Sequence, residues 1–180
     1  MELKESKTYI NIQKAFESEL QITSKYLIYA LKARQDGYVQ IGNIFDQIAG
    51  NDRELANIWL KQLNDGKTPD TLTNLVDATQ ISNKQGTSTY QEYSRVAQEE
   101  GFAAIASLFN GIANIQLNHE NVFSGLAADV RTNSVFCKET QNLWICLRCG
   151  NIMGGECAPK ICPICGFPQA YYQIYVNEVN

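Results

Sequence analysis

The sequence predicts a mainly helical protein: an antiparallel four-helix bundle followed by a small metal-bound module. Two observations carry this. Residues from about 6 to 130 repeat apolar side chains three and four apart in four blocks of similar length, separated by short turn signals. Beyond them the helical pattern stops. A Gly-, Pro- and Cys-rich stretch follows, holding two Cys-x-x-Cys knuckles, Cys146–Cys149 and Cys162–Cys165. The expected organisation is a bundle over 1–135, a linker over 136–143 and the metal module over 144–180.

The first helix is expected from about Lys7 to Gln35, where Asp36-Gly37 stops it. The second runs from about Val39 to Asn64 and ends at Asp65-Gly66. Thr68-Pro69-Asp70 punctuates the chain, with Asp70 or Thr71 as the candidate N-cap of a third helix that runs to about Glu100. The middle of that helix, Gly86-Thr87-Ser88-Thr89, is poor helix material. Gly101 breaks it, and the fourth helix runs from about Phe102 to Val130. The segment after Val130 is polar and reads as connection. The module from Trp144 onward is too small to bury a core of its own, so a metal must supply much of its folding free energy.

The chain has 180 residues, 44% hydrophobic and 19% charged, a globular balance. Its net charge of −4 and the absence of basic clusters exclude a nucleic-acid footprint. The longest apolar run, Tyr26 to Leu31, is too short to span a membrane, and the segment Met1–Lys7 is charged, without an apolar signal core. These features point to a cytoplasmic protein. Six cysteines in such a chain suggest metal binding rather than disulfides. Cys137 and Cys157 have no ligand spacing. They are read as small packing residues, with a reactive thiol at Cys157 as the second reading.

Each knuckle bends so that two sulfurs face one point, and the glycine after its second cysteine, Gly150 or Gly166, lets the backbone turn back toward them. Two knuckles make a four-thiolate cage from Cys146, Cys149, Cys162 and Cys165, whose spacing alone admits zinc or iron. The bundle carries a second candidate site. The apolar stripes of all four helices are interrupted near their middles by polar residues: Glu19, Asp52, Ser82, Gln85, and Gln116 with His119, the single histidine. Such residues on facing helices can meet, and burying them is costly unless they pair or bind something.

Four segments, with the knuckles, resemble rubrerythrins over nearly the whole chain: Lys14-Ala15-Phe16, Asp36-Gly37-Tyr38, Glu99-Glu100-Gly101-Phe102, and Ala158-Pro159 through Cys162-Pro163-Ile164-Cys165. The resemblance implies a ferritin-like bundle carrying a di-iron carboxylate site, joined to a rubredoxin-like domain whose iron feeds it electrons for peroxide reduction. It also implies paired subunits. The four knuckle cysteines match the family's ligands, as do Glu19 and His119. Asp52 stands where the family has glutamate, Leu55 where it has histidine, and Ser82, Gln85 and Gln116 where it has glutamates.

The expectation is therefore a rubrerythrin-like iron-binding redox protein. It would transfer one electron at a time through a single four-cysteine iron, with zinc able to take that site in recombinant protein. The bundle would be mainly a scaffold without a di-iron cluster, and no residue is assigned a catalytic role. Two alternatives stay open: a peroxide reductase with an altered metal site, and a structural metal-binding protein. The expected partners are a second copy of the chain and an electron donor and acceptor, with neither nucleic acid nor membrane.

Overall fold

The computed structural model describes residues 2–176 and is mainly helical, with four long helices and a small C-terminal strand region. After a short 3-10 turn at Leu3–Glu5 come α1 (Lys7–Gln35) and α2 (Val39–Leu63). The third long helix is α3 (Thr71–Lys84), a π-helical turn over Gln85–Thr89, and α4 (Tyr90–Glu99). The fourth is α5 (Ala103–Arg131). Strands β1 (Cys137–Cys146), β2 (Ile152–Cys157) and β3 (Tyr172–Ile174) form an antiparallel sheet in the order β2-β1-β3.

The helix boundaries fall where the turn residues place them. Gly37 and Gly101 both have φ of +87°, and each is followed by the same pair of helix-ending bonds. Tyr38 N–H donates to Ala33 O at 2.8 Å and Phe102 N–H donates to Ala97 O at 2.8 Å. This is a glycine-capped helix end that only a residue tolerant of left-handed backbone makes without strain. Ser6 caps α1, its side chain accepting from Tyr9 N–H at 3.2 Å.

The chain divides into two compact units, one up to Asp70 and one from Thr71. In the first, α1 packs on α2 through a seam of small residues: Ala30, Ala33, Gly42, Ala49 and Ala56 are buried. Gly42 cannot carry a side chain there, since a Cβ would lie 2.9 Å from Arg34 Cγ and 3.0 Å from Ala30 O. Tyr26, Tyr29 and Phe45 form an aromatic cluster beside the seam, with ring centroids 5.8–6.3 Å apart. In the second unit α5 packs on the third helix through Ser94, Ala97, Ala106 and Ala113, with Ser94 Oγ donating to Ala106 O at 3.0 Å. Tyr90, Tyr93 and Phe109 repeat the aromatic cluster, with centroids 5.6–6.0 Å apart. One constant offset separates Tyr26 from Tyr90, Tyr29 from Tyr93, Phe45 from Phe109 and Gly37 from Gly101, so the second helical hairpin repeats the first.

Two expectations need correction, and a third, that the helix continues past Gly86–Thr89, holds. Several members of the apolar stripes, Ile41, Ile48, Leu55, Tyr93, Phe102 and Ile105, are exposed, while most of the others are half-buried. Two helices packed at close range bury one narrow seam, which alanine and glycine fill, and the larger apolar residues flank it. The weak segment Gly86–Thr89 does not interrupt the helix. It is absorbed in the π turn, where one extra residue is accommodated. The stretch 136–143 is not a loose linker, because β1 already begins at Cys137. The Asp129 carboxylate on α5 receives Lys138 Nζ at 2.5 Å and Ser134 Oγ at 2.9 Å, which ties the start of β1 to the end of α5.

Two outcomes test these packing arguments. At Gly86 a Cβ would lie 2.7 Å from Leu117 Cγ and 3.0 Å from Ala113 O. Gly86→Ala is expected to destabilise the protein by about 1–3 kcal/mol, as overpacking does, and thermal unfolding by circular dichroism would show it. The hydrogen bond from Lys138 holds the Asp129 carboxyl below its ordinary value against the opposing effect of burial, with Ser134 adding to the lowering. Stabilisation from a depressed carboxylate is present above the unfolded value and lost as pH falls through the folded one. Asp129→Asn should therefore cost up to about 1 kcal/mol at neutral pH. Denaturant titrations should show the difference from wild type shrinking as pH falls below the ordinary aspartate value.

Candidate metal centre

The two knuckles are built alike. Cys146 N–H donates to Asn151 O and Cys162 N–H donates to Phe167 O, both at 2.8 Å. Gly150 N–H returns to Cys146 O at 2.8 Å and Gly166 N–H to Cys162 O at 2.9 Å, with φ of +76° and +73° at the two glycines. Each loop thus closes on its own first cysteine, and the positive φ explains the glycine in each. Strand β1 delivers Cys146 from the centre of the sheet. Cys162 opens the second knuckle, which the isolated bridge Ile161–Pro168 closes.

The four sulfurs converge. All lie within 4.8 Å of one another, and the pairs Cys146–Cys165 and Cys149–Cys162 stand at 3.7 Å. A tetrahedral ion with metal–sulfur bonds of about 2.3 Å has sulfur–sulfur edges of roughly 3.8 Å. The cage therefore fits a tetrahedral thiolate-bound ion. Among the described residues it is the only group of three or more His, Cys, Asp or Glu side chains close enough to hold one ion.

The core of the module is the back of this cage. Trp144, Cys146, Ala158, Cys162 and Tyr172 are buried together, with Phe136, Cys165 and Ile174 against them. Trp144 Nε1–H donates to Gly155 O at 3.0 Å. Trp144 and Tyr172 are buried, whereas Tyr171 is exposed and stacks edge-on with Phe167 at 4.7 Å. The guanidinium of Arg148 lies 5.2 Å from the centre of the Phe167 ring.

The electrostatics favour thiolate at one position and resist it at another. The Tyr172 hydroxyl beside Cys162, with backbone amides of Cys165 and Ile164, pulls that thiol down to about 6 despite burial. The Cys162 thiolate and burial in turn push the Tyr172 phenol up to about 12. At Cys165 the Phe167 amide favours the thiolate. Burial and the sulfurs of Cys149, Cys162 and Cys146 outweigh it and push the thiol up to about 12. Four thiolates cannot crowd together without a cation, so losing the last proton belongs with taking up the metal. The Tyr172 hydroxyl, beside Cys162, and the Asn151 amide nitrogen are both buried. Both are donors held at the cage wall.

The six bundle residues are divided between the units. Glu19 on α1 and Asp52 on α2 are half-buried in the first, and Asp52 Oδ2 is buried without a hydrogen-bond partner. Ser82 on α3 is buried, Gln85 opens the π turn, and Gln116 on α5 is half-buried in the second. His119 on α5 is exposed, contrary to its expected place on an inward stripe.

The remaining two cysteines are not passive. Cys137 and Cys157 are cross-strand partners joined by a disulfide. The expectation of metal binding rather than disulfides, with these two cysteines as small packing residues, is corrected at this pair. The residues were visible in the sequence, but their pairing depends on the register of β1 against β2, which no local signal carried.

Comparison with known proteins decides the family. The family model described as Rubrerythrin matches residues 11–127, and the one described as Rubrerythrin, rubredoxin-like domain matches 144–173. The chain belongs to the rubrerythrin family. Rubrerythrin-1 of Clostridium acetobutylicum is 36% identical over 187 residues, covering 96% of each chain. The rubrerythrin of Clostridium perfringens is 37% identical over 188 residues, again covering 96% of each. That of Nitratidesulfovibrio vulgaris is 33% identical over 183 residues, covering 96% of each. Family and four-cysteine cage together support an iron-binding redox protein.

The cage wall can be tested in metal-free protein. Tyr172→Phe removes the hydroxyl that favours the Cys162 thiolate, so that thiol should titrate above its value of about 6. Thiolate absorbance in the ultraviolet should then rise at higher pH than in wild type.

Proposed function

We propose that this protein passes single electrons through one iron held by Cys146, Cys149, Cys162 and Cys165, and that its helices serve mainly as a scaffold. The observation that carries this reading is the convergence of four sulfurs at tetrahedral spacing. Iron bound there supplies a ferric–ferrous couple with little change of geometry. The chain's own residues hold it in place. The paired knuckle bonds fix the sulfurs, Trp144 and Tyr172 exclude water from the back, and the Tyr172 hydroxyl is placed to stabilise sulfur charge. Cys149 is exposed, so electrons have a short route between the cage and solvent or a partner.

The bundle residues do not fit a di-iron cluster. Such a site takes a Glu from each of two helices and a Glu-x-x-His pair from each of two others. Hard iron ions need anionic oxygen to balance their charge. Here Ser82, Gln85 and Gln116 are neutral, Leu55 supplies no ligand atom, and His119 is exposed. A second reading, a peroxide reductase with an altered metal site, is favoured by the buried and unpartnered Asp52 Oδ2. We further infer a homodimer. Each hairpin exposes apolar residues beyond its own seam, including Leu27, Leu31, Ile44 and Ile48 in the first and Ile105, Leu108, Ile115 and Val122 in the second. No helix among the described residues is long and apolar enough to cross a membrane, and a cytoplasmic setting suits a cage of free thiols.

Elemental analysis of natively purified protein tests the reading. About one iron per chain is expected, lost together with its visible colour in Cys149→Ser while the helical signal persists. Close to three irons per chain would overturn it, since a di-iron pair adds two. So would peroxide turnover near the enzyme median of about 10 per second with a one-electron donor and no thiol present.

A further inference from the structure

The cross-strand cystine lies outside everything assigned above. Cys137 opens β1 and Cys157 closes β2; their Cα atoms are 4.0 Å apart and their sulfurs are bonded. The register shifts between Cys137 and Asn142, so the bonded pair stands apart from the continuous ladder that runs from Asn142–Gly155 to Ile145–Ile152. Neither cysteine of the bond belongs to that ladder, to the Trp144 core or to the cage. A backbone bond from Ala158 N–H to Phe136 O, 2.8 Å, joins the two strands beside them without using either cysteine. Cys157 is exposed and Cys137 is half-buried, so a small oxidant or a thiol reaches Cys157 first. The same small module carries four free thiols. Surroundings that keep those thiols reduced for a metal also act on an exposed cystine beside them, and such bonds are made and broken rather than permanent.

We propose that Cys137 and Cys157 form a reversible dithiol–disulfide centre, a second redox site that a hydroperoxide oxidises and a dithiol reduces. The Cys157 thiolate attacks the terminal peroxide oxygen. The O–O bond breaks, the leaving oxygen departs as water or alcohol, and Cys157 becomes a sulfenic acid. Cys137 then attacks that sulfur, the S–O bond breaks, water leaves and the S–S bond forms. Two electrons pass from the two sulfurs to the peroxide, and the two thiol protons end in the products. An external dithiol reverses the change by two thiol–disulfide exchanges, becoming a disulfide itself. The cycle uses neither the iron nor the bundle residues, so it stands or falls independently of the function proposed above.

The test uses the natively purified holoprotein. Dithiothreitol under anaerobic conditions, followed by alkylation of the folded protein, is expected to label Cys137 and Cys157 and spare the metal-bound cysteines. After anaerobic removal of the dithiothreitol, one equivalent of hydrogen peroxide added in place of the alkylating agent should rejoin them, lowering the mass by about 2 Da and yielding a Cys137–Cys157 linked peptide. In Cys137→Ser the reaction should stop at a sulfenic acid on Cys157 that dimedone traps, and Cys157→Ser should trap none. A bond that survives dithiothreitol in the folded protein would overturn the proposal, because it would then be a permanent staple. Failure of stoichiometric peroxide to restore the bond, or linkage among other cysteines, would overturn it equally.

Discussion

The interior of the small module is built against its four-cysteine cage. The largest fully buried side chains among the described residues are Trp144, Cys146 and Cys162, so two of the three are ligands. Four sulfurs within 4.8 Å repel one another as thiolates and leave a void as thiols. A bound cation resolves both problems, so binding the ion stabilises the folded module. The knuckle hydrogen bonds, the positive φ at Gly150 and Gly166 and the tyrosine at the cage wall all follow from bringing four sulfurs to one point.

The helices obey a different constraint. Alanine and glycine seams bring α1 against α2, and α5 against the third helix, at close range. Such seams give position more than hydrophobic free energy, because few methylene groups are buried in them. The larger apolar side chains lie outside the seams, and so do several polar residues of the expected bundle site. A hairpin of two helices can close one face only. Their exposure follows from that geometry, and an exposed apolar surface of this extent is characteristic of a face that meets another protein surface.

Much of the fold was legible in the sequence because its punctuation is local. Asp36-Gly37, Asp65-Gly66 and Glu100-Gly101 carry the stops of three helices, and the structure places positive φ at Gly37, Gly66 and Gly101. The four-sulfur cage was legible for the same reason, since each knuckle is a short loop closed on itself. What was not legible depends on longer range. The partnership of Cys137 with Cys157 needs the β1–β2 register. Exposure of His119 and Leu55 needs to know which side of a periodic stripe a neighbouring helix covers, and periodicity alone does not say. The strand inside the supposed linker was hidden because Lys138-Glu139-Thr140-Gln141-Asn142 is polar throughout and shows no apolar alternation.

The π turn has a consequence for how the two hairpins correspond. Tyr90, Tyr93, Phe109, Gln116 and His119 follow Tyr26, Tyr29, Phe45, Asp52 and Leu55 at one constant interval. Ser82 follows Glu19 at an interval one residue shorter, and the turn at Gln85–Thr89 lies between Ser82 and Tyr90. One residue in an α-helix is about 100° of rotation. The π turn takes up that extra rotation, so Ser82 keeps the azimuth relative to the aromatic trio that Glu19 has in the first hairpin. The halves of the chain therefore correspond in their aromatic anchors at one interval and at Ser82 at another. A count made at the anchors' interval alone would pair Glu19 with Asn83, whereas the turn brings Ser82 into that place.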